Sequence, residues 1–231
     1  MLRIAFTKQR ATLNLSHLTP LTQMQTQHHP SEFLQAGASK QPCEPAFVKG
    51  WYRFAHHFAS PNFGPRPVKG SEDISLVVVH SISLPPDEFG GEFIEQFFCN
   101  ALDHNAHPYF KGIEGVKVSS HFLIKRNGKL LQFVSCLDRA WHAGVSNFKG
   151  RDNCNDYSIG IELEGAEYGG TFEDIQYETL TSLCSNLINE YPIKNFIGHE
   201  HIAPGRKKDP GVGLKWNLFQ KSLGLESKYF P

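Results

Sequence analysis

Residues 74–80 read I-S-L-V-V-V-H, and residues 158–164 read S-I-G-I-E-L-E. The first is a β-branched run of strand length with too few polar positions for a surface strand. It predicts a central strand covered on both faces, with His80 at its carboxyl end. The second alternates strictly, so Ile159, Ile161 and Leu163 face a core while Gly160, Glu162 and Glu164 face the other way. One face is apolar and the other carries carboxylates.

Working outward, Phe93, Ile94, Phe97, Phe98 and Leu102 recur at helical spacing after the Gly90-Gly91 break. Residues 121–126 and 129–134 flank Asn127-Gly128, which predicts a hairpin closed by a type I′ turn. Residues 171–174, T-F-E-D, have capping-box spacing ahead of the stripe Leu180, Leu183, Cys184, Leu187 and Ile188, a helix that must end before Pro192. Ile197-Gly198-His199 reads as another short strand ending in histidine, followed by a Gly/Pro/Lys-rich loop to Gly213 and a short helix near Trp216. Upstream, residues 51–67 interleave aromatics with Pro and Gly, as in a long loop packed on a core. Helices alternating with strands predict one α/β domain: a mixed central β-sheet flanked by helices.

Residues 1–46 show neither period and few aromatics, so they are expected to form a poorly ordered extension, with the folded domain spanning 47–231. Lys+Arg and Asp+Glu number 23 each, so no global field draws the chain to nucleic acid or to an anionic membrane. Its apolar runs are far shorter than the roughly 20 residues of a membrane span. Five cysteines without a C-x-x-C pair argue against a disulfide framework and a thiolate zinc knuckle, and for a reducing, cytoplasmic setting. No obligatory protein partner is evident.

Twelve histidines are the more informative feature. A catalytic zinc site needs three protein ligands and one open position, built from strand ends and loops. His80, His199 and Asp209 meet that description, although as spacing alone two distant histidines and an aspartate fit many chains. His201 offers an H-x-H alternative, Glu164 competes with Glu162 for a general-base role, and Lys207-Lys208 reads equally as a solvated basic loop. His121, Trp141 and His142 read alone as core residues, and Asn155 and Asp156 equally as turn formers or site residues.

The motif series decides among these readings. L-V-V-V-H-S-I-S-L-P-P, V-S-S-H-F-L-I, R-A-W-H-A-G-V-S, C-N-D-Y-S-I-G-I-E-L-E-G and G-H-E-H-I-A-P-G-R-K-K-D-P-G occur in that order between about Trp51 and Phe219. The series closely resembles the zinc-dependent N-acetylmuramoyl-L-alanine amidases of the amidase-2 class, particularly those that act on 1,6-anhydro-muropeptides in peptidoglycan recycling. The resemblance implies an amidase-2, peptidoglycan-recognition-protein-like fold and one Zn²⁺ per chain held by His80, His199 and Asp209. It also implies Glu162 as acid/base, Lys207 beside the polarised carbonyl, and His121, Trp141 and His142 as substrate contacts. Amide hydrolysis at neutral pH suits this set: zinc lowers the pKa of a water from 15.7 toward about 7, and a carboxylate moves its proton. Ser81, Lys117 and Asn153 depart from the family, which often has Asn at the first place and Arg at the other two. Lost arginine forks weaken recognition of acidic stem-peptide groups. The rival readings are an exported or phage-type amidase on intact wall and a non-catalytic peptidoglycan-recognition module.

Overall fold

The structure, a computed structural model, describes residues 44–166 and 170–231. The expected extension lies almost wholly outside the described residues. The described fold begins slightly earlier than expected, since Ala46 packs against the core and its carbonyl accepts from the Arg53 amide.

Six strands form the main sheet: β1 (His56–His57), β2 (Leu76–Ile82), β3 (Phe122–Ile124), β4 (Leu130–Gln132), β5 (Ser158–Glu164) and β6 (Asn195–Gly198). Their spatial order is β6-β2-β5-β3-β4-β1. Strands β6, β2, β5 and β3 are mutually parallel, β3 and β4 form the antiparallel hairpin, and β1 adds to the far edge parallel to β4. The helices are α1 (Phe93–Phe98), α2 (Asp174–Glu190), α3 (His199–Ile202) and α4 (Trp216–Leu223).

The central position of β2 follows from its composition, because only a fully apolar run tolerates cover on both faces. Val77 and Val79 join Ile159, Ile161 and Leu163 of β5 against Leu180, Leu183 and Leu187 of α2 and Phe219 of α4. On the opposite face Leu76 and Val78 meet Tyr157 and Ile202, while Leu123 and Leu131 pack on Ile94 and Phe98 of α1. Each such buried side chain contributes roughly 1.5–3 kcal/mol of transfer free energy.

Several local expectations change. Strand β2 starts two residues after Ile74 and runs past His80 to Ile82, because its partner β5 continues alongside it. The hairpin loop is not type I′: Asn127 keeps negative φ, Gly128 takes φ +81°, and Lys125 N–H donates to Lys129 O at 2.9 Å. That is a three-residue loop with glycine at the left-handed position, and Asn127 Oδ1 supports it by accepting from the Lys129 amide at 3.0 Å. Helix α2 is capped at Glu173, where Gln176 reaches back to the Glu173 amide at 3.0 Å, rather than at Thr171. Helix α1 stops at Phe98, short of Leu102, with Asn100 at φ +56° just beyond it. Within residues 51–67, short pairings at Trp51–Tyr52, His56–His57 and Phe63–Pro65 replace a featureless loop.

The carboxylate face of β5 is not solvent-facing: all seven of its residues are buried. Gly160 lies under the His142 ring, and a Cβ there would stand 2.6 Å from His142 Cγ, so only glycine fits. Glu164 accepts from the amides of Gly90 at 2.8 Å and Arg126 at 3.0 Å. Buried Lys125 completes the cluster, with Nζ 3.2 Å from Glu164, 3.4 Å from Glu95 and 2.9 Å from Gly91 O. This lysine ties the 83–92 loop and α1 to the sheet. Replacing it with methionine strands two buried carboxylates, so Lys125→Met should cost about 3–5 kcal/mol in urea unfolding. A loss below about 1 kcal/mol would show that the cluster is not a stabilising element.

Candidate active site

Strand register does the first part of the assembly. His80 on β2 stands directly opposite Glu162 on β5, and parallel pairing sends both side chains to the same sheet face. Strand β6 ends at Gly198 beside Val79, so the next residue, His199, emerges next to His80. His199 does not end a strand; it opens α3, whose turn returns the chain to the loop carrying Asp209. The Glu200 amide donates to Asp209 O at 2.9 Å and closes that loop on the helix.

Three donor atoms converge there. His80 Nδ1 lies 3.0 Å from His199 Nδ1, and Asp209 Oδ2 lies 3.1 Å from each. All three residues are buried. The outer nitrogen of His199, Nε2, is 3.0 Å from Ala143 O and must donate to it, which leaves Nδ1 unprotonated in the neutral ring. Burial pushes His80 down to about 4, so that ring is neutral at pH 7. Burial alone would raise Asp209, but its contacts with His199 and His80 hold it well below the ordinary carboxylate range. Two imidazoles and a carboxylate facing one another at these distances could hold a cation. Ligands about 2.0 Å from a tetrahedral centre stand roughly 3.3 Å apart, close to the spacing here. The N₂O set fits a divalent ion of borderline softness.

The triad sits at one end of a cleft of about 280 Å³, whose wall also includes Glu162, Lys207, Trp141 and His142. The other end is apolar, with Ile82, Leu84, Phe97, Phe98, Ile113 and Val118. Glu162 is buried and its Oε2 has no hydrogen-bond partner in the protein. Burial pushes its carboxyl well above the usual range, Asp209 adds to the rise, and Lys207 opposes it. Glu164, two residues on, is saturated by backbone amides and Lys125, which separates the two candidates by environment.

Other expected residues scatter. His121 is fully buried outside the cleft lining: Nδ1 accepts from the Gly160 amide at 3.0 Å, and Nε2 donates to Asp138 O at 3.1 Å. Burial takes it down to about 3, so it is a neutral wedge between strands and not a surface for a ligand. His201 turns away, accepting from the Gly198 amide at 3.2 Å and meeting the Trp216 ring edge-on. Asn155 is more than a turn former, since its Oδ1 accepts from the amides of His142 at 3.1 Å and Ala143 at 2.8 Å. Ser158, Ala143 and Arg206 also lie around the triad; all three fall within the quoted motifs, but sequence reasoning gave them no role. A glycine at position 160, in the interior of a strand, is the one signal that something packs closely there.

The displaced Glu162 equilibrium has a measurable consequence for the metal-free protein. A glutamate whose folded pKa exceeds its ordinary 4.5 binds more protons folded than unfolded, so its ionisation costs stability as pH rises above 4.5. Glu162→Gln should therefore raise the thermal midpoint of the metal-free protein more at pH 7.5 than at pH 4.5. Equal gains at the two pH values would mean that the carboxyl is not displaced.

Residues 70–212 match the family model described as N-acetylmuramoyl-L-alanine amidase, Amidase_2. The chain is 48% identical over 174 residues to the 1,6-anhydro-N-acetylmuramyl-L-alanine amidase AmpD of Citrobacter freundii, covering 74% of this chain and 91% of that one. It is 45% identical over 181 residues to AmpD of Escherichia coli K12, covering 78% and 97%. A crystal structure of a selenomethionine derivative of AmpD superposes with a TM-score of 0.73 at 47% identity, over 76% of this chain and 98% of the other. The matching sequence and fold converge on one assignment: the chain belongs to the Amidase_2 family of N-acetylmuramoyl-L-alanine amidases.

Proposed function

We propose that this chain is a zinc-dependent hydrolase of muropeptides, cutting the amide between the lactyl group of 1,6-anhydro-N-acetylmuramic acid and L-alanine. The catalytic unit is assigned to residues 47–231, acting in the bacterial cytoplasm during peptidoglycan recycling. The AmpD names of the relatives support the substrate, and four described cysteines, all unpaired, suit a reducing compartment. Among the described residues no helix is long and apolar enough to cross a membrane. One observation carries the proposal: an unpartnered buried carboxylate, Glu162, shares a cleft with three converging metal-type donors.

His80, His199 and Asp209 are the proposed ligands. Bound among them, Zn²⁺ would acidify a water toward pKa about 7 and polarise the scissile carbonyl. Glu162, displaced upward, is suited to accept that water's proton at its free Oε2 and deliver it to the departing alanine nitrogen. Lys207 in the same wall supplies positive charge where the carbonyl oxygen becomes an oxyanion. Trp141 offers a flat apolar wall for the substrate, and the apolar end of the cleft excludes water from the rest of it. Two carboxylates of unlike environment two residues apart thus divide into one that reacts and one that braces.

Mass spectrometry of the purified protein incubated with a soluble anhydro-muropeptide tests the reaction. Release of an alanine-ended peptide that stops with chelator and returns with zinc is the expected result. Persistent absence of cleavage by verified zinc-loaded protein overturns the substrate assignment. Glu162→Ala should keep zinc binding and lower kcat by about 10²–10⁴-fold, whereas His199→Ala should lose both. Wild-type turnover in Glu162→Ala would remove that residue from its role.

A further inference from the structure

The outer nitrogens of both triad imidazoles end on the same two residues. His199 Nε2 donates to the carbonyl of Ala143, and His80 Nε2 lies 2.9 Å from Nδ1 of His142. The Asn155 side chain pins this dipeptide by accepting from both of its amides, and Arg206 Nη2 adds a second donor to Ala143 O at 2.8 Å.

The direction of the His142 contact can be read from its far side. Ser158 Oγ donates its only proton to the carbonyl of Cys154, 2.6 Å away, so its lone pairs face His142 Nε2 at 3.2 Å. His142 Nε2 must then carry the hydrogen, and Nδ1 is an acceptor. His80 therefore donates from Nε2 and presents a bare Nδ1 to His199 and Asp209. The chain of donors runs one way, from His80 through His142 and Ser158 to a backbone carbonyl. With both nitrogens committed, His142 has no polar atom left for a substrate, and the bare strand at Gly160 is what makes room for its ring.

We infer that His142, oriented by Ser158, is the positioning residue that locks His80 in its metal-ligating tautomer. This rests on the metal-centre reading above. Ligating histidines elsewhere are held by such partners, whose loss costs about 10–100-fold in metal affinity. An Asn at position 142 places Oδ1 where the histidine has Nδ1 and keeps the acceptor. Leu is of similar size without one, and Gln carries its amide too far out to replace it.

The test combines zinc affinity, by competition with a chromophoric chelator, with the ¹⁵N shift pattern of His80 in the metal-free full chain. Wild-type His80 should show the Nε2–H tautomer. His142→Leu should bind zinc about 10–100-fold more weakly with His80 tautomers mixed, while His142→Asn stays within a few-fold of wild type and His142→Gln falls with Leu. Wild-type affinity in His142→Leu, or an Nδ1–H tautomer in the wild type, overturns the inference. Should the Leu variant fold poorly, the Asn and Gln pair and the wild-type spectrum still decide. Absence of zinc binding by the wild type would instead refute the metal-centre reading, leaving the tautomer spectrum to judge the hydrogen-bond chain separately.

Discussion

Two imidazole nitrogens and a carboxylate oxygen held within 3.1 Å of one another make a compact donor set, spaced as a cation between them would require. The rest of the fold exists to enforce that meeting. Two parallel strands deliver His80 and His199 from positions 119 residues apart, and the turn of α3 brings Asp209 back against both. Neither helix packing nor the apolar core needs these groups; both supply the rigidity that keeps them together. Close-packed leucine and valine layers below the sheet allow no relaxation that would let the donors drift apart.

The same face of β5 shows how one strand gives different chemistry to identical side chains. Glu164 reaches a loop whose amides, with Lys125, meet all of its needs, so it acts as a structural anchor for the cleft wall. Glu162 meets only the cleft, and burial without a partner makes its proton easy to hold and ready to give. Gly160, one step further back, yields its place to His142. Three alternate residues on one strand thus anchor, face the cleft and make room.

Around the triad the polar groups are arranged outward from its three residues. Ala143 and His142 take the outer imidazole nitrogens, Asn155 holds the dipeptide, and Ser158 ends the chain on a backbone carbonyl. A buried network is worth having only when every member is satisfied. Here every committed donor finds an acceptor, and the cleft-lining Glu162 keeps an unpartnered Oε2.

The sequence by itself determined the strands and helices that a strong period announces: the apolar run of β2, the alternation of β5, the stripe of α2 and the ordered motif series with His80, Glu162, His199 and Asp209. These are local properties, legible because side-chain periodicity follows backbone geometry directly. Turn type at Asn127-Gly128, the cap of α2 and the helical start at His199 were not legible, since each depends on where a flanking segment must go to pair or pack. Only the tertiary structure decided which carboxylate stays unpaired, that His121 is sealed inside the sheet, and that Ser158 meets His142. Those outcomes depend on which groups distant in sequence desolvate and hydrogen-bond one another, and no spacing along the chain encodes that distance.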